Sequence, residues 1–122
     1  MTWTYSQRTG ILKHNGKPIA KGYSGFGAGK NKPEMENVAN IGPLPKGKYT
    51  LIELILSHPT TGAYSIRLQP ASNNKMYGRS VFLIHGDSKK NPGTASTGCI
   101  ILDKKFRVEM WKSNDRQLVV IE

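Results

Sequence analysis

Apolar residues in this chain come in short runs separated by Gly, Pro and Asn, without the three-and-four spacing that marks amphipathic helices. "GILKH" alternates, Asn15-Gly16 follows, and "KPIAKGY" continues, which predicts a β-hairpin closed by the dipeptide best suited to a tight turn. "YSGFGAGKNKP", from Tyr23 to Pro33, predicts a loop, and "PEMENVAN" has room for one helical turn. "IGPLPKGKYTLIELIL" then passes from a Pro/Gly turn into a long β-prone segment, "AYSIRLQP" predicts a further strand, and "SVFLIHG" a buried strand ending at His85. Beyond a second loop, "GCIIL" reads as a strand. Asp103 is placed to N-cap a short helix through "KKFRVEMWK", and "QLVVIE" closes the chain as a strand. The pattern is that of a mainly β protein with one or two short helices.

Length and composition keep to this picture. A chain of 122 residues supports one hydrophobic core, so residues 1–122 are expected to form a single domain, and 13 Gly with 7 Pro favour many turns between short strands. There is no internal repeat and no linker-like tract. Eighteen Lys and Arg against eight Asp and Glu give a formal charge of +10, and the first 33 residues carry six basic side chains and no acidic one. That field attracts polyanions without choosing among nucleic acid, anionic lipid and wall polymers. The start lacks the basic-then-apolar pattern of a secretory signal, and no run approaches the ~20 apolar residues of a membrane span. The expectation is a protein made in the cytoplasm without a signal peptide and without membrane insertion, so that work outside needs another export route.

The single cysteine changes the picture most, because one cysteine cannot make an internal disulfide. It ends the stretch "HGDSKKNPGTASTGC", from His85 to Cys99, which joins two predicted core strands. A catalytic thiol needs a base or a field that forms thiolate, and backbone amides aimed at a developing oxyanion. His85 beside a Gly-containing loop can shuttle a proton, Gly98 lets a substrate carbonyl approach the backbone, and Ser96 can hydrogen-bond within the turn. Asp87 can pair with the imidazolium or simply cap the loop. The residues alone also admit a small buried thiol beside an ordinary histidine. Two other chemistries fit poorly. The loop from Tyr23 has Ser24 where a phosphate-binding loop needs its first glycine and Asn31 where it needs Ser or Thr. Cys99, His85 and His58 contain no close-spaced metal-ligand pair, so no metal is expected.

Several separated pieces, in order, resemble a known family. "IHG" followed by "STGC" is similar to the signature of L,D-transpeptidases of the YkuD type. "WTYSQRTG", "HNG", "YSGFGAGKN", "GPLPKGKYT", "MYGRSVFLIHGDS" and "NPG" extend the resemblance to the type VI secretion L,D-transpeptidase effectors over almost the whole chain. The resemblance implies a YkuD-like β-sandwich and action on bacterial peptidoglycan, with Cys99 as nucleophile, His85 as general base, and Ser96, Thr97 and Gly98 forming the turn around the thiol. Thr97 stands where a second histidine is common and Ile101 where an arginine often follows, which bears on oxyanion and carboxylate recognition. Arg79, just ahead of the strand leading to His85, is then a candidate to grip a substrate carboxylate, and Tyr77 to wall the groove. The implied chemistry is attack on the L-centre carbonyl of the third stem residue, expulsion of D-alanine, and transfer of the acyl group to water or an amine. No cofactor and no nucleic acid are called for. The implied partners are peptidoglycan stem peptides, secretion machinery and an immunity protein, and the implied place of action is the periplasm of a target cell. The competing expectations are a phage or host wall-lysis enzyme of the same chemistry, and a non-catalytic basic β-domain. A papain-like enzyme is disfavoured because His85 precedes Cys99.

Overall fold

The computed structural model describes residues 2–122. Its strands are β1 (Trp3–Ser6), β2 (Ile11–His14), β3 (Lys17–Lys21), β4 (Tyr23–Ser24), β5 (Gly47–His58), β6 (Gly62–Pro70), β7 (Phe82–His85), β8 (Ile100–Ile101) and β9 (Gln117–Ile121), with one α-helix, α1 (Lys104–Lys112). Short 3₁₀ turns at Gly27–Gly29 and Pro33–Met35 occupy the region where the sequence allowed a loop and a helical turn. The strands form one sheet in the order β3-β2-β1-β9-β5-β6-β7-β8-β4. This sheet curls until it is nearly closed, so that strands face one another across the core, as a sandwich requires.

The first hairpin forms as its sequence dictates. Asn15 and Gly16 adopt φ of 52° and 83°, the left-handed pair that matches the twist of the flanking strands. The β2–β3 register slips between Leu12 and Lys13, opposite Pro18 to Ala20, where proline lacks a donor for the ladder. Trp3–Ser6, for which the sequence pattern predicts no element, is a strand with buried Trp3 and Tyr5 on one face. It pairs antiparallel with β2 and parallel with β9, joining the two ends of the chain. Local alternation over four residues is too short to announce such a strand, and its partner lies at the far terminus.

The core draws Trp3, Leu12, Tyr49, Ile66, Ile84 and Leu118 from six strands, and Met110 of α1 closes one end. Asp103 immediately precedes α1 as expected, but its side chain makes no capping hydrogen bond. Only its backbone carbonyl accepts, from the amides of Phe106 and Arg107. Two features place the site. All four residues of β7 are buried, as a strand covered on both faces must be, and β7 and β8 run parallel. Parallel neighbours need a long crossover, and here it is the stretch between His85 and Cys99.

Candidate active site

The β7–β8 register sets Ile84 against Ile100 and His85 against Ile101. Ile84 and Ile100 face the core. His85, at the end of β7, and Cys99, immediately before β8, therefore belong to the opposite face, two residues apart along the line of the ladder, a diagonal of about 8 Å between Cα atoms. The thiol is 9% exposed and the imidazole 6%. Leu83 N–H donates to Cys99 Sγ at 3.3 Å, and His85 Nδ1 lies 2.9 Å from the carbonyl of Gly86. A carbonyl only accepts, so Nδ1 carries the proton and Nε2 of the neutral ring holds a free lone pair. Burial pushes the Cys99 thiol up, against the smaller pull of the Leu83 amide and the Arg79 charge. Burial likewise lowers His85, opposed by the Gly86 carbonyl and helped by Arg107 and His58. At neutral pH the pair is thiol and imidazole, with no hydrogen bond yet closed between them.

Two buried serines shape the turn that presents the thiol. Ser96 Oγ donates to the carbonyl of Cys99 at 2.6 Å and accepts from the amides of Gly25 and Gly98. Ser24 Oγ donates to the carbonyl of Gly98 and accepts from the amide of Leu44. The sequence marks Ser96 as a turn residue, whereas Ser24, within a loop without phosphate-binding spacing, carries no such signal. Gly98 has φ of +137°, and a Cβ there would lie 2.4 Å from Arg79 Nη2 and 2.9 Å from Phe82. Only glycine takes that backbone conformation without strain, and only glycine leaves the space.

Arg79 corrects an expectation. Its Nη1 donates to the carbonyls of Glu36 and Pro43, and its Nη2 to those of Gly42 and Thr97. Its four terminal N–H bonds are thus taken, and the side chain is 9% exposed, so no fork remains for a substrate carboxylate. It ties the segment from Glu36 to Pro43 to the nucleophile turn. Thr97 gives its carbonyl to this strut while its own side chain is exposed at the rim.

Asp87 does not bond to His85. Its carboxylate accepts from Tyr23 Oη at 2.6 Å and from the amides of Ser88 and Gly93, so of the two roles open to it the structure assigns the loop cap. Burial raises its carboxyl, and these donors outweigh burial and hold it below its ordinary value. Burial and the Asp87 bond push Tyr23 up to about 12, so its hydroxyl stays a donor. Tyr77 also points elsewhere, donating to Glu36 at 2.9 Å. Glu36, which the sequence did not single out, is a buried carboxylate bound by Gln7, the Lys46 amide and Tyr77. Burial raises it, and those bonds bring it below the usual range.

A cleft of about 230 Å³ opens beside the thiol, lined by Cys99, Thr97, Phe82, Val81, Ala39 and Asn40 among others. Val81 has φ of +62° and is 71% exposed, a strained conformation for a β-branched residue at the lip of the cleft. Among the described residues no three His, Cys, Asp or Glu side chains are placed to hold a metal ion. His58 Nδ1 accepts from the amides of Thr60 and Thr61, and its charge bears on His85 by lowering it.

A model of the Tlde1 domain matches residues 18–121. No curated protein matches the chain. Among solved structures, an L,D-transpeptidase from Mycobacterium smegmatis is similar with a TM-score of 0.50 and 16% identity, over 99% of this chain and 58% of that one. At that identity the likeness speaks to the fold, and this chain spans little more than half the length of that protein. The family match covers most of the chain and takes in the strand bearing His85, the crossover and the turn bearing Cys99. The chain belongs to the Tlde1 domain family, the type VI secretion L,D-transpeptidase effectors, with an L,D-transpeptidase-like, mainly β fold.

Proposed function

We propose that this protein is a cysteine-dependent enzyme acting on the tetrapeptide stems of peptidoglycan, as an L,D-carboxypeptidase, an L,D-transpeptidase, or both. The observation that carries the reading is an Nδ1-anchored His85 at the end of β7 and Cys99 at the entry to the adjacent parallel β8, with a cleft beside the thiol. Membership of a peptidoglycan-modifying effector family supports the substrate class.

The residues divide the work as follows. The Gly86 carbonyl fixes the ring so that Nε2 faces the reaction as an acceptor. As substrate enters the cleft, Nε2 takes the thiol proton and Sγ attacks the carbonyl carbon of the third stem residue. Gly98 N–H is already given to Ser96 Oγ, so the amides proposed to receive the oxyanion are those of Thr97 and Cys99. The imidazolium then protonates the nitrogen of the departing D-alanine, leaving a thioester on Cys99. Water deprotonated by Nε2 gives the tripeptide stem, while an amine in its place gives a crosslink or an exchanged D-amino acid. On this reading the protein acts as an antibacterial effector in the periplasm of a target cell, with the secretion machinery and an immunity protein as further partners.

Incubation of purified tetrapeptide muropeptides, followed by mass spectrometry, tests this directly. The wild-type protein is expected to release D-alanine, and Cys99→Ala to release none while unfolding at the wild-type temperature. Undiminished release by Cys99→Ala overturns the thiol mechanism.

A further inference from the structure

Beside Gly86, which follows His85 in the chain, lies a second cavity, of about 440 Å³, whose walls include Gly86, Lys89, Lys104 and Arg107. Arg107 is the unusual member. It is 6% exposed, yet it lies within ion-pair distance of no carboxylate among the described residues. Its Nε donates to the carbonyl of Leu102 and its Nη1 to those of Ala63 and Tyr64. Among the described residues Nη2 makes no hydrogen bond, and it lies over Gly86, where a Cβ would be 2.8 Å away. This differs from Arg79, whose terminal donors are all satisfied. A buried guanidinium on a cavity wall, with one nitrogen unbonded, two lysines beside it and its nearest acidic influence, Asp103, beyond ion-pair distance, is a place for an anion. Asp87, the carboxylate on this wall, is already taken by Tyr23 and two backbone amides and is no partner for the arginine.

The cavity starts one residue from the proposed base, and it shares no lining residue with the cleft beside Cys99. A peptide whose reacting carbonyl sits between thiol and imidazole extends toward both. We propose that the cavity bounded by Gly86, Lys89, Lys104 and Arg107 binds a carboxylate of the peptide substrate. This rests on the proposed action on tetrapeptide stems, which supply two such groups near the reacting bond: the terminal D-alanine carboxylate and the free carboxylate at the side-chain end of a diaminopimelate third residue. It also gives the "HG" pair a physical meaning, since any side chain at Gly86 would displace Nη2 from the wall.

Arg107 is a poor residue to replace, because its other donors hold the β5–β6 hairpin and the end of β8. Lys89 and Lys104 are exposed and tolerate removal. The test uses Cys99→Ala protein, so that substrate binds without turnover, and titrates it calorimetrically with a diaminopimelate-containing tetrapeptide. The same titration is made with each carboxylate amidated in turn. Lys89→Ala with Lys104→Ala is expected to weaken binding of the tetrapeptide about fivefold to tenfold, and Lys105→Ala, which lies outside the cavity, less than twofold. Amidating the carboxylate that occupies the cavity is expected to weaken binding to the parent and to cost nothing further in the double variant, which identifies the source. Equal binding by the double variant and Lys105→Ala overturns the subsite, as does an amidation penalty unchanged by loss of both lysines. Absence of any binding overturns it as well. D-alanine release by the wild-type protein then shows whether the proposed function falls with it.

Discussion

Replacing Arg79 by lysine separates the role its sequence position suggested from the one its geometry supports. The guanidinium reaches four backbone carbonyls on two segments from two nitrogens, and a lysine ammonium offers three donors from a single point. At least one carbonyl loses its partner, and a hydrogen bond to a charged donor contributes about 1.5–3 kcal/mol, so the variant should be less stable by at least about 1.5–3 kcal/mol. That is a large part of the ~5–15 kcal/mol expected of a whole domain. Urea unfolding followed by tryptophan fluorescence reads it directly, because Trp3 is in the core. With a slope of about 1–2 kcal/mol per molar urea, the midpoint should fall by about 0.75–3 M. A guanidinium that gripped substrate instead would leave the midpoint in place and raise KM. A midpoint shift under about 0.5 M together with a raised KM would refute the strut.

Further outcomes follow from the same geometry. Ser96→Ala leaves the Gly25 and Gly98 amides and the Cys99 carbonyl without their partner, and should lower stability by about 2–4 kcal/mol in a thermal or urea melt. Gly98→Ala must relieve both a φ of +137° and a 2.4 Å approach to Arg79, so it should reduce stability and D-alanine release together. Asp87→Asn keeps the shape but weakens the bonds from Tyr23, Ser88 and Gly93, and faster hydrogen exchange should appear in the crossover loop while the core strands stay protected. His85 is lowered from 6.5 in the folded state, so the unfolded chain binds that proton more readily, and the stability it contributes, present above pH 6.5, falls away as pH drops below it. Cys99 is raised above 9.0, so the unfolded chain loses that proton more readily and stability declines as pH climbs past 9. Melts across pH 5 to 10 that show neither decline would contradict the burial of the pair.

What the sequence discloses depends on how local the cause is. The Asn15-Gly16 turn, the bounds of α1 and the strands through "AYSIRLQP" and "QLVVIE" follow from turn chemistry and periodicity within a few residues. The parallel β1–β9 pairing does not, since it joins Trp3 to Leu118 and no local signal reports a partner that distant. The site divides in the same way. Ser96 acts within its own turn and could be read, whereas Ser24 and Glu36 act on residues far along the chain through hydroxyl and carboxylate bonds that leave no periodic trace. Arg79 misled because an arginine ahead of a catalytic strand looks the same in sequence whether its fork meets substrate or backbone. Burial distinguishes the two, and burial here comes from the segment between Glu36 and Pro43, which has almost no regular secondary structure to predict.

The same burial bears on how the proposed nucleophile is kept and used. An exposed thiolate is the form that oxidants and stray electrophiles attack, and its reactivity follows thiolate content and access. Cys99 is buried and raised, and His85 is buried and lowered, so the resting protein holds little ion pair and a poorly reactive sulfur. Reaction then requires the proton to pass from Sγ to Nε2 as the sulfur attacks, with charge appearing at the oxyanion while the imidazolium forms. Nearby positive charge assists the first part and opposes the second: Arg79 favours thiolate, and Arg107 disfavours imidazolium. A substrate carboxylate beside Arg107 would offset that opposition and make His85 a better base when the substrate is present. Alkylation of Cys99 by iodoacetamide should therefore be slow near pH 7 in the free protein and climb steeply only above pH 9. Fast alkylation at pH 7, with no further rise, would mean that the ion pair is already formed and that substrate has no part in making it.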